Sequence, residues 1–339
     1  MCVVKWDRQF SNVCRGTKQG SILSPTLFNV FINDLLKLLA ESNVGVRVDS
    51  DIFNSFAYAD DISVLSLNTT DLQILINICF TYSKTWKFNF GITKTKCMIS
   101  GVNPFIDTPV WKLGGDAIEN VDTIEILGTV FSKDLSCKSH VEKRTLSCRR
   151  SVCALASVGC SYPGLSSDVK AHLWRTIGLP SLTYGIETLH ISVTHKKRIE
   201  STQASIIKST LGFPSRCHHS SLLNAMSIDN VYSHIKRGTL SLWRRIFDIE
   251  SPARRICEKQ LRDFLRYGHI IPGTILDRVC RFGISPIKYA FTNYQRNPPR
   301  SQDVSDGVAD SLKFLIMHDN FIKPYSDEHI LARLLITAF

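Results

Sequence analysis

An α+β fold is predicted by three features of this sequence. Short apolar runs bounded by turn-forming residues, Ile52-Phe53, Phe56-Ala57-Tyr58 and Ile62-Ser63-Val64-Leu65, read as strands. Apolar residues at helical spacing, Leu27, Phe28, Phe31, Leu35, Leu38 and Leu39, then Leu72, Leu75, Ile76, Cys79 and Phe80, read as helix faces packed on them. From about Lys133 the strand signals stop and helical patterns take over. The expected molecule is an antiparallel sheet with packed helices, followed by a mostly α-helical region.

In chain order, Met1 to Trp6 and Phe10 to Cys14 read as a short hairpin with Asp7-Arg8-Gln9 as its turn. Ser24-Pro25 is expected to start a helix, with Ser24 as hydroxyl N-cap and proline at the first helical position. Gly20 before it lets backbone approach a ligand, and a helix N-terminus suits phosphate or nucleotide. The same pattern also describes a capped helix that only packs in a core. Two strands joined at Asp60-Asp61 follow, then a helix from about Asp71 to Lys87. Gly114-Gly115 reads as a turn between short strands, and Gly128 as a bulge or close approach.

Further on, Lys138, Lys143, Arg144, Arg149 and Arg150 fall on one long helix with few acids. That face suits a nucleic-acid backbone, or is a solvated surface. Ser166-Ser167-Asp168 caps the next helix, and His195-Lys196-Lys197-Arg198 opens another. Ser251-Pro252 is a plausible boundary, Asn297-Pro298-Pro299 a linker, and the C-terminus an uncapped apolar helix.

The 339 residues allow about two domains. Lys and Arg number 41 against 30 Asp and Glu, a net charge of +11 that favours a phosphate-bearing partner. Eleven cysteines occur without Cys-x-x-Cys pairs, so tetrahedral zinc spacing is not met. Several replace small apolar residues in helical patterns, which fits a reducing cytoplasm or nucleus. The N-terminus has no apolar signal region, and no apolar run reaches membrane-spanning length.

The chemistry-bearing stretch is Ala57-Tyr58-Ala59-Asp60-Asp61. Neighbouring side chains on a strand alternate faces, so a tight turn is one of few places where adjacent acids reach one cleft. Two like charges that close repel unless a cation joins them, and hard divalent ions such as Mg2+ prefer carboxylate oxygen. The pair therefore points to metal-assisted phosphoryl transfer. An Asp-Asp dipeptide is also an ordinary turn sequence.

Lys18-Gln19-Gly20-Ser21-Ile22-Leu23-Ser24-Pro25, a long helix, then Tyr58-Ala59-Asp60-Asp61 together resemble the reverse transcriptase domain of non-LTR (LINE-like) retrotransposons. Further pieces follow in order. Trp86 to Phe90 with Thr93 to Met98 is similar to a helix-turn-strand element carrying a lysine. Glu125-Ile126-Leu127-Gly128-Thr129-Val130 resembles a hairpin that grips the primer, Ser136 to Arg144 the start of the thumb, and Tyr184-Gly185-Ile186-Glu187 a thumb motif. The resemblance covers roughly residues 1–230.

The resemblance implies a polymerase-type palm over 1–132, lacking fingers and the first catalytic strand. A helical thumb would span 133–250, and a helical region of unknown role 251–339. It implies an RNA-directed DNA polymerase working on an RNA template, a DNA primer and deoxynucleoside triphosphates with two Mg2+ ions. Asp60 would be the main metal ligand, with Asp61 beside it. Lys18, Gln19, Gly20 and Ser21 would border nucleotide and template, Tyr58 the primer terminus, and Lys96 or Lys94 the leaving pyrophosphate. The family carries a further aspartate on a strand well upstream of the Gln-Gly motif, whereas only seventeen residues precede Lys18 here, and Asp7 reads as a turn residue. An N-terminally truncated chain with impaired or no polymerase activity is therefore expected. The alternative is a non-catalytic nucleic-acid-binding remnant of a retroelement.

Overall fold

The fold is described by a computed structural model of the chain. It describes residues 22–100, 109–155, 159, 165–267, 270–271 and 273–281. The chain divides into two compact units, Met1–Thr95 with Thr108–Glu119, and Lys96–Asp107 with Asn120–Phe339. Among the described residues the sheets are small antiparallel pairs and the rest is largely helical, a mixed α+β architecture.

The first unit is built around two helices, α1 (Ser24–Glu41) and α2 (Thr69–Thr85). Ile32, Leu35 and Leu39 of α1 meet Leu75, Cys79 and Tyr82 of α2 in one buried cluster. The apolar stripe read from the sequence thus faces the core, though Leu72 and Phe80 are only half-buried. Two termini differ from expectation. Leu23, not Ser24, is the N-cap of α1, and Ser24 is already helical with Pro25 behind it, because Leu23 itself has helical backbone angles. The second helix begins two residues early because the Asn68 side chain accepts the Asp71 N–H at 2.7 Å, a genuine N-cap the sequence pattern passed over.

Aromatic rings close one end of this unit. Phe31 packs edge-on to Trp86 and Phe88, with centroids 5.6 and 5.7 Å apart, and the Tyr82 hydroxyl donates to the Phe31 carbonyl at 2.5 Å.

Between the helices run β1 (Val46–Val48), β2 (Asp51–Phe53), β3 (Ser55–Tyr58) and β4 (Asp61–Val64). The first two pair with each other, and so do the last two. The apolar run before the acids is therefore two strands, broken at the buried Asn54. Beyond α2 come β5 (Lys96–Cys97), β6 (Lys112–Leu113), β7 (Asp116–Ala117) and β8 (Glu119–Asn120). The Gly114-Gly115 turn joins β6 to β7 as expected, with φ of +68° at Gly114 and the Phe80 ring where a Cβ would lie.

The second unit holds β9 (Thr123–Ile126) and β10 (Thr129–Ser132), then α3 (Lys138–Leu155). A nearly unbroken helical rod follows: α4 (Ser167–Leu173), a π-helical turn at Trp174–Gly178, and α5 (Leu179–Thr183). Ser166 caps it through the Val169 N–H. After a 3-10 turn at Ile186–Thr188 come α6 (Val193–Leu211), α7 (His219–Ala225) and α8 (Val231–Asp248). Phe131, Val141, Cys148, Trp174, Leu182 and Ile186 are among the side chains of its main core.

The last described elements, α9 (Pro252–Tyr267) and α10 (Ile275–Arg281), form a second cluster with α8 around the fully buried Trp243. Arg254 and Glu258 pair at 2.7 Å with both side chains nearly buried. Burial lowers the pKa of Arg278 to about 10, and its guanidinium donates to the Leu189 carbonyl at 2.7 Å.

Candidate nucleic-acid and metal site

The acid pair sits on a hairpin whose geometry follows from its register. Tyr58 pairs with Asp61 and Ala57 with Ile62, leaving Ala59-Asp60 as a two-residue loop. The strands are therefore joined at Ala59-Asp60, and Asp61 is the first residue of β4. Ala59 has a φ of +51°. A positive φ at the first loop position belongs to the hairpin turns whose twist matches the strands, and a non-glycine residue there is strained.

Cross-strand partners share a face, so Ala57 with Ile62 and Ser55 with Val64 lie on one side, Phe56 with Ser63 and Tyr58 with Asp61 on the other. Ile62 and Val64 pack against the cluster of α1 and α2. Asp61 and Tyr58 thus occupy the face turned away from that core. Asp60 and Asp61 are both exposed, and Tyr58 is 66% exposed. Neighbouring carboxylates, one on a short, strained loop and one on the first residue of the strand that follows, offer adjacent hard oxygens at small cost in desolvation.

The remaining expected site residues divide. Lys18, Gln19, Gly20 and Ser21 lie outside the described residues, as does Asp7. Lys94 is exposed in a turn of the first unit, its N–H donating to the Gly91 carbonyl at 3.0 Å. Lys96 is half-buried on β5 and belongs to the second unit. Among the described residues, no group of three or more His, Cys, Asp or Glu is placed to hold a metal ion.

In the second unit the basic helix is real, but its charges do two jobs. Arg149 and Arg150 are exposed. Lys143 pairs with Glu125 of β9, and Arg144 lies over the Tyr184 ring at 5.4 Å. That stacking ties α3 to the segment after α5. Arg198, at the start of α6, pairs with Glu142 of α3 at 3.1 Å. The described cysteines are all free thiols, and burial pushes Cys148 and Cys257 up to about 12, so neither is a nucleophile near neutrality.

Residues 1–131 match the family described as reverse transcriptase (RNA-dependent DNA polymerase). Over this stretch, which is less than half of the chain, the sequence is similar to a reverse transcriptase domain. The chain is also 27% identical over 212 residues to the RNA-directed DNA polymerase from mobile element jockey of Drosophila funebris. That match covers 59% of this chain and 22% of the relative. The Pol polyprotein of the type-2 retrotransposable element R2DM of Drosophila melanogaster is 38% identical over 72 residues, 21% of this chain and 7% of its own length. The corresponding polyprotein of element R2 of Popillia japonica is 25% identical over 181 residues, 51% of this chain and 28% of its own. The chain thus spans about a fifth of the length of the jockey polymerases it matches. The non-LTR resemblance seen in the sequence holds.

Reverse transcriptases as a family depend on divalent metal. The all-oxygen donor set of Asp60 and Asp61 fits a hard cation of that kind. Sequence reading had not joined the Leu127-Gly128, His140 and Tyr184-Gly185 segments. Nothing in their spacing announces that they meet, and the only hint was that each fell in a separate piece of the resemblance.

Proposed function

We propose that this chain supplies part of the RNA-directed DNA polymerase of a non-LTR retrotransposon. In this reading residues 1–132 are palm, 133–250 thumb, and 251–339 a helical extension. The observation that carries it is the pair of adjacent exposed acids on the β3–β4 turn, inside the segment that matches the reverse transcriptase family. The comparison with the jockey polymerase extends the support well past residue 132, into the helical part.

The reaction is attack of a primer 3′-hydroxyl on the α-phosphate of a deoxynucleoside triphosphate. One P–O bond forms to the primer, one breaks, and pyrophosphate leaves. Asp60 and Asp61 would hold the divalent ion, whose charge offsets that developing on the phosphoryl oxygens. Tyr58, opposite Asp61 and on the same face, offers an aromatic edge to the primer terminus. The exposed Arg149 and Arg150 of α3 would follow the backbone of the primer–template duplex. Lys18 to Ser21 would border the incoming nucleotide and template. Positioning and electrostatics supply most of the rate in phosphoryl transfer, so small shifts of the hairpin would be costly.

Primer extension on an RNA template with Mg2+ or Mn2+ tests this. Incorporation that is lost in Asp60→Asn, with duplex binding kept, supports the assignment. Incorporation that Asp60→Asn leaves intact overturns it.

A further inference from the structure

Three segments distant in sequence converge on the tip of the β9–β10 hairpin. Its loop residues, Leu127 and Gly128, both have positive φ, 48° and 79°. That is the sign pattern of a type I′ turn, in which leucine is an awkward occupant. A strained residue persists where its surroundings over-determine it, and here they do. The Tyr184 hydroxyl donates to the Leu127 carbonyl at 2.8 Å. The same ring lies against Gly128, where a Cβ would sit 3.2 Å from Cε1. Arg144 covers the ring from α3.

One residue later, Gly185 at φ 72° brings the backbone so close that a Cβ would lie 2.6 Å from the Thr129 hydroxyl and 3.2 Å from His140 Nε2. His140 is fully buried between the two backbones. Its Nδ1 accepts the Val130 N–H at 3.1 Å, and its Nε2 lies 2.8 Å from the Tyr184 carbonyl. The first bond requires a bare Nδ1 and the second an Nε2 proton, so the imidazole is neutral and both its nitrogens are used. The hairpin is thus held at the Leu127 carbonyl by Tyr184 and three residues further along, at the Val130 N–H, by His140, which is itself tied to the Tyr184 carbonyl.

The surface so held has a recognisable chemistry. Leu127 is 42% and Tyr184 51% exposed, with the Arg144 guanidinium over the ring. An exposed aromatic–aliphatic edge beside a cation suits the bases and phosphates of a nucleic-acid strand.

We propose that Tyr184 and His140 are positioning residues, a strut that sets the Leu127–Gly128 tip and through it the end of a primer strand laid against that tip. This rests on the polymerase reading above. Neither residue touches the reacting atoms.

Tyr184→Phe is the sharpest test, because it keeps the ring and removes only the hydroxyl. The full chain is compared with its variants by amide hydrogen exchange, and by binding to two RNA–DNA hybrids of equal length, one blunt and one with a recessed 3′ end. Tyr184→Phe is expected to speed exchange at Gly128, Thr129 and Val130 about fivefold, the weight of one ordinary hydrogen bond. It should weaken binding of the recessed end by a similar factor and leave the blunt hybrid alone. His140→Leu should loosen the same amides and discriminate less, whereas His140→Gln, which keeps a donor and an acceptor, should recover much of both. Unchanged exchange in Tyr184→Phe overturns the strut. If the wild-type chain binds neither hybrid, the polymerase reading fails, while the exchange measurement still decides whether the strut exists.

Discussion

The side-chain amide of Asn54 donates to the carbonyl of Leu39, the last core residue of α1, at 2.5 Å. Its second N–H reaches the Val44 carbonyl at 2.8 Å, and its Oδ1 accepts the Ser55 hydroxyl at 3.1 Å. The backbone carbonyl of Asn54 also takes the Leu65 N–H at 2.9 Å. One residue therefore ties down the last turn of α1, which Ser42 caps, separates β2 from β3 and anchors the far end of the acid hairpin. Asn54→Leu takes the donor from the Val44 carbonyl and leaves the Leu39 carbonyl only its bonds from Ser42, and it should cost about 1–2 kcal/mol in a denaturant titration. A loss under about 0.5 kcal/mol would mean that water takes over those bonds and that the hairpin is anchored elsewhere.

Two glycines with the same backbone angle allow strain and crowding to be separated. Gly185 and Gly212 both have φ of 72°. Nothing lies within 4 Å of a Cβ at Gly212, the left-handed residue that ends α6, whereas one at Gly185 would collide with Thr129. Gly212→Ala should cost about 1 kcal/mol, the left-handed penalty alone. Gly185→Ala should cost at least about 2 kcal/mol, since crowding adds to it. Equal losses in equilibrium unfolding would contradict the close approach.

Metal should report on the acid turn without any catalytic step. Mn2+ added to the intact chain is expected to broaden the amide resonances of Ala59 to Ile62 first, and a chelator should restore them. In Asp60→Asn the broadening should need about tenfold more Mn2+, a factor that corresponds to about 1.4 kcal/mol. Broadening that begins elsewhere and ignores Asp60→Asn would detach the acids from metal binding.

Exposed arginines on α3 lend themselves to a salt titration. Arg149 and Arg150, like Lys138 at its start, are exposed members of that helix's basic set. If each neutralises one phosphate, Arg149→Ala and Arg150→Ala should each lower the slope of log affinity against log salt by about 0.7–0.9. Arg144→Ala should act differently, because besides removing a charge it uncovers the Tyr184 ring that Arg144 lies over. Slopes that match wild type in both surface variants would move the nucleic acid off this helix.

Acid should weaken the second unit. Burial lowers the pKa of His140, its hydrogen bond to the Tyr184 carbonyl opposes this, Arg144 and Lys143 act with burial, and Glu125 acts against it. Burial likewise lowers His190, His219 and His234. A histidine depressed in the folded state takes up its proton more readily when unfolded. Its contribution is therefore fully present above about pH 6.5 and is lost as pH falls below that value toward the folded pKa. Thermal unfolding followed from pH 7.5 to 5 should show a falling midpoint. His140→Gln should make that fall shallower, and an unchanged slope would show that the other three histidines dominate.

Much of this architecture can be read from the chain alone, where the signal is local. The apolar stripes of α1 and α2, the Gly114-Gly115 turn and the Ser166 cap each rest on residues within a few positions of one another. The errors arise where a competing local interaction or a distant partner decides. Ser24 fits the N-cap pattern, yet the helix reaches back to Leu23. The acid turn lies one residue earlier than expected because Tyr58 pairs with Asp61, and nothing in an Ala-Asp-Asp string shows that the alanine will take the left-handed conformation. Asn54 looks like an ordinary polar break between apolar runs, and its worth lies in carbonyls ten and fifteen residues away. The Leu127, His140 and Tyr184 contacts bridge up to 57 residues, beyond the reach of periodicity.

The π-helical turn at Trp174–Gly178 carries one residue more than an α-helical path of the same height needs. Its Gly178 leaves room for the Trp174 indole, which would otherwise meet a Cβ at 2.5 Å. Excising a single residue from this stretch would regularise the rod, but it would also spin everything downstream by about 100° about the rod axis. Tyr184 and Gly185 would be swung off their partners. The surplus residue therefore works as a phase-setter: a flawed helix keeps a remote tyrosine in angular register with a turn it never touches in sequence.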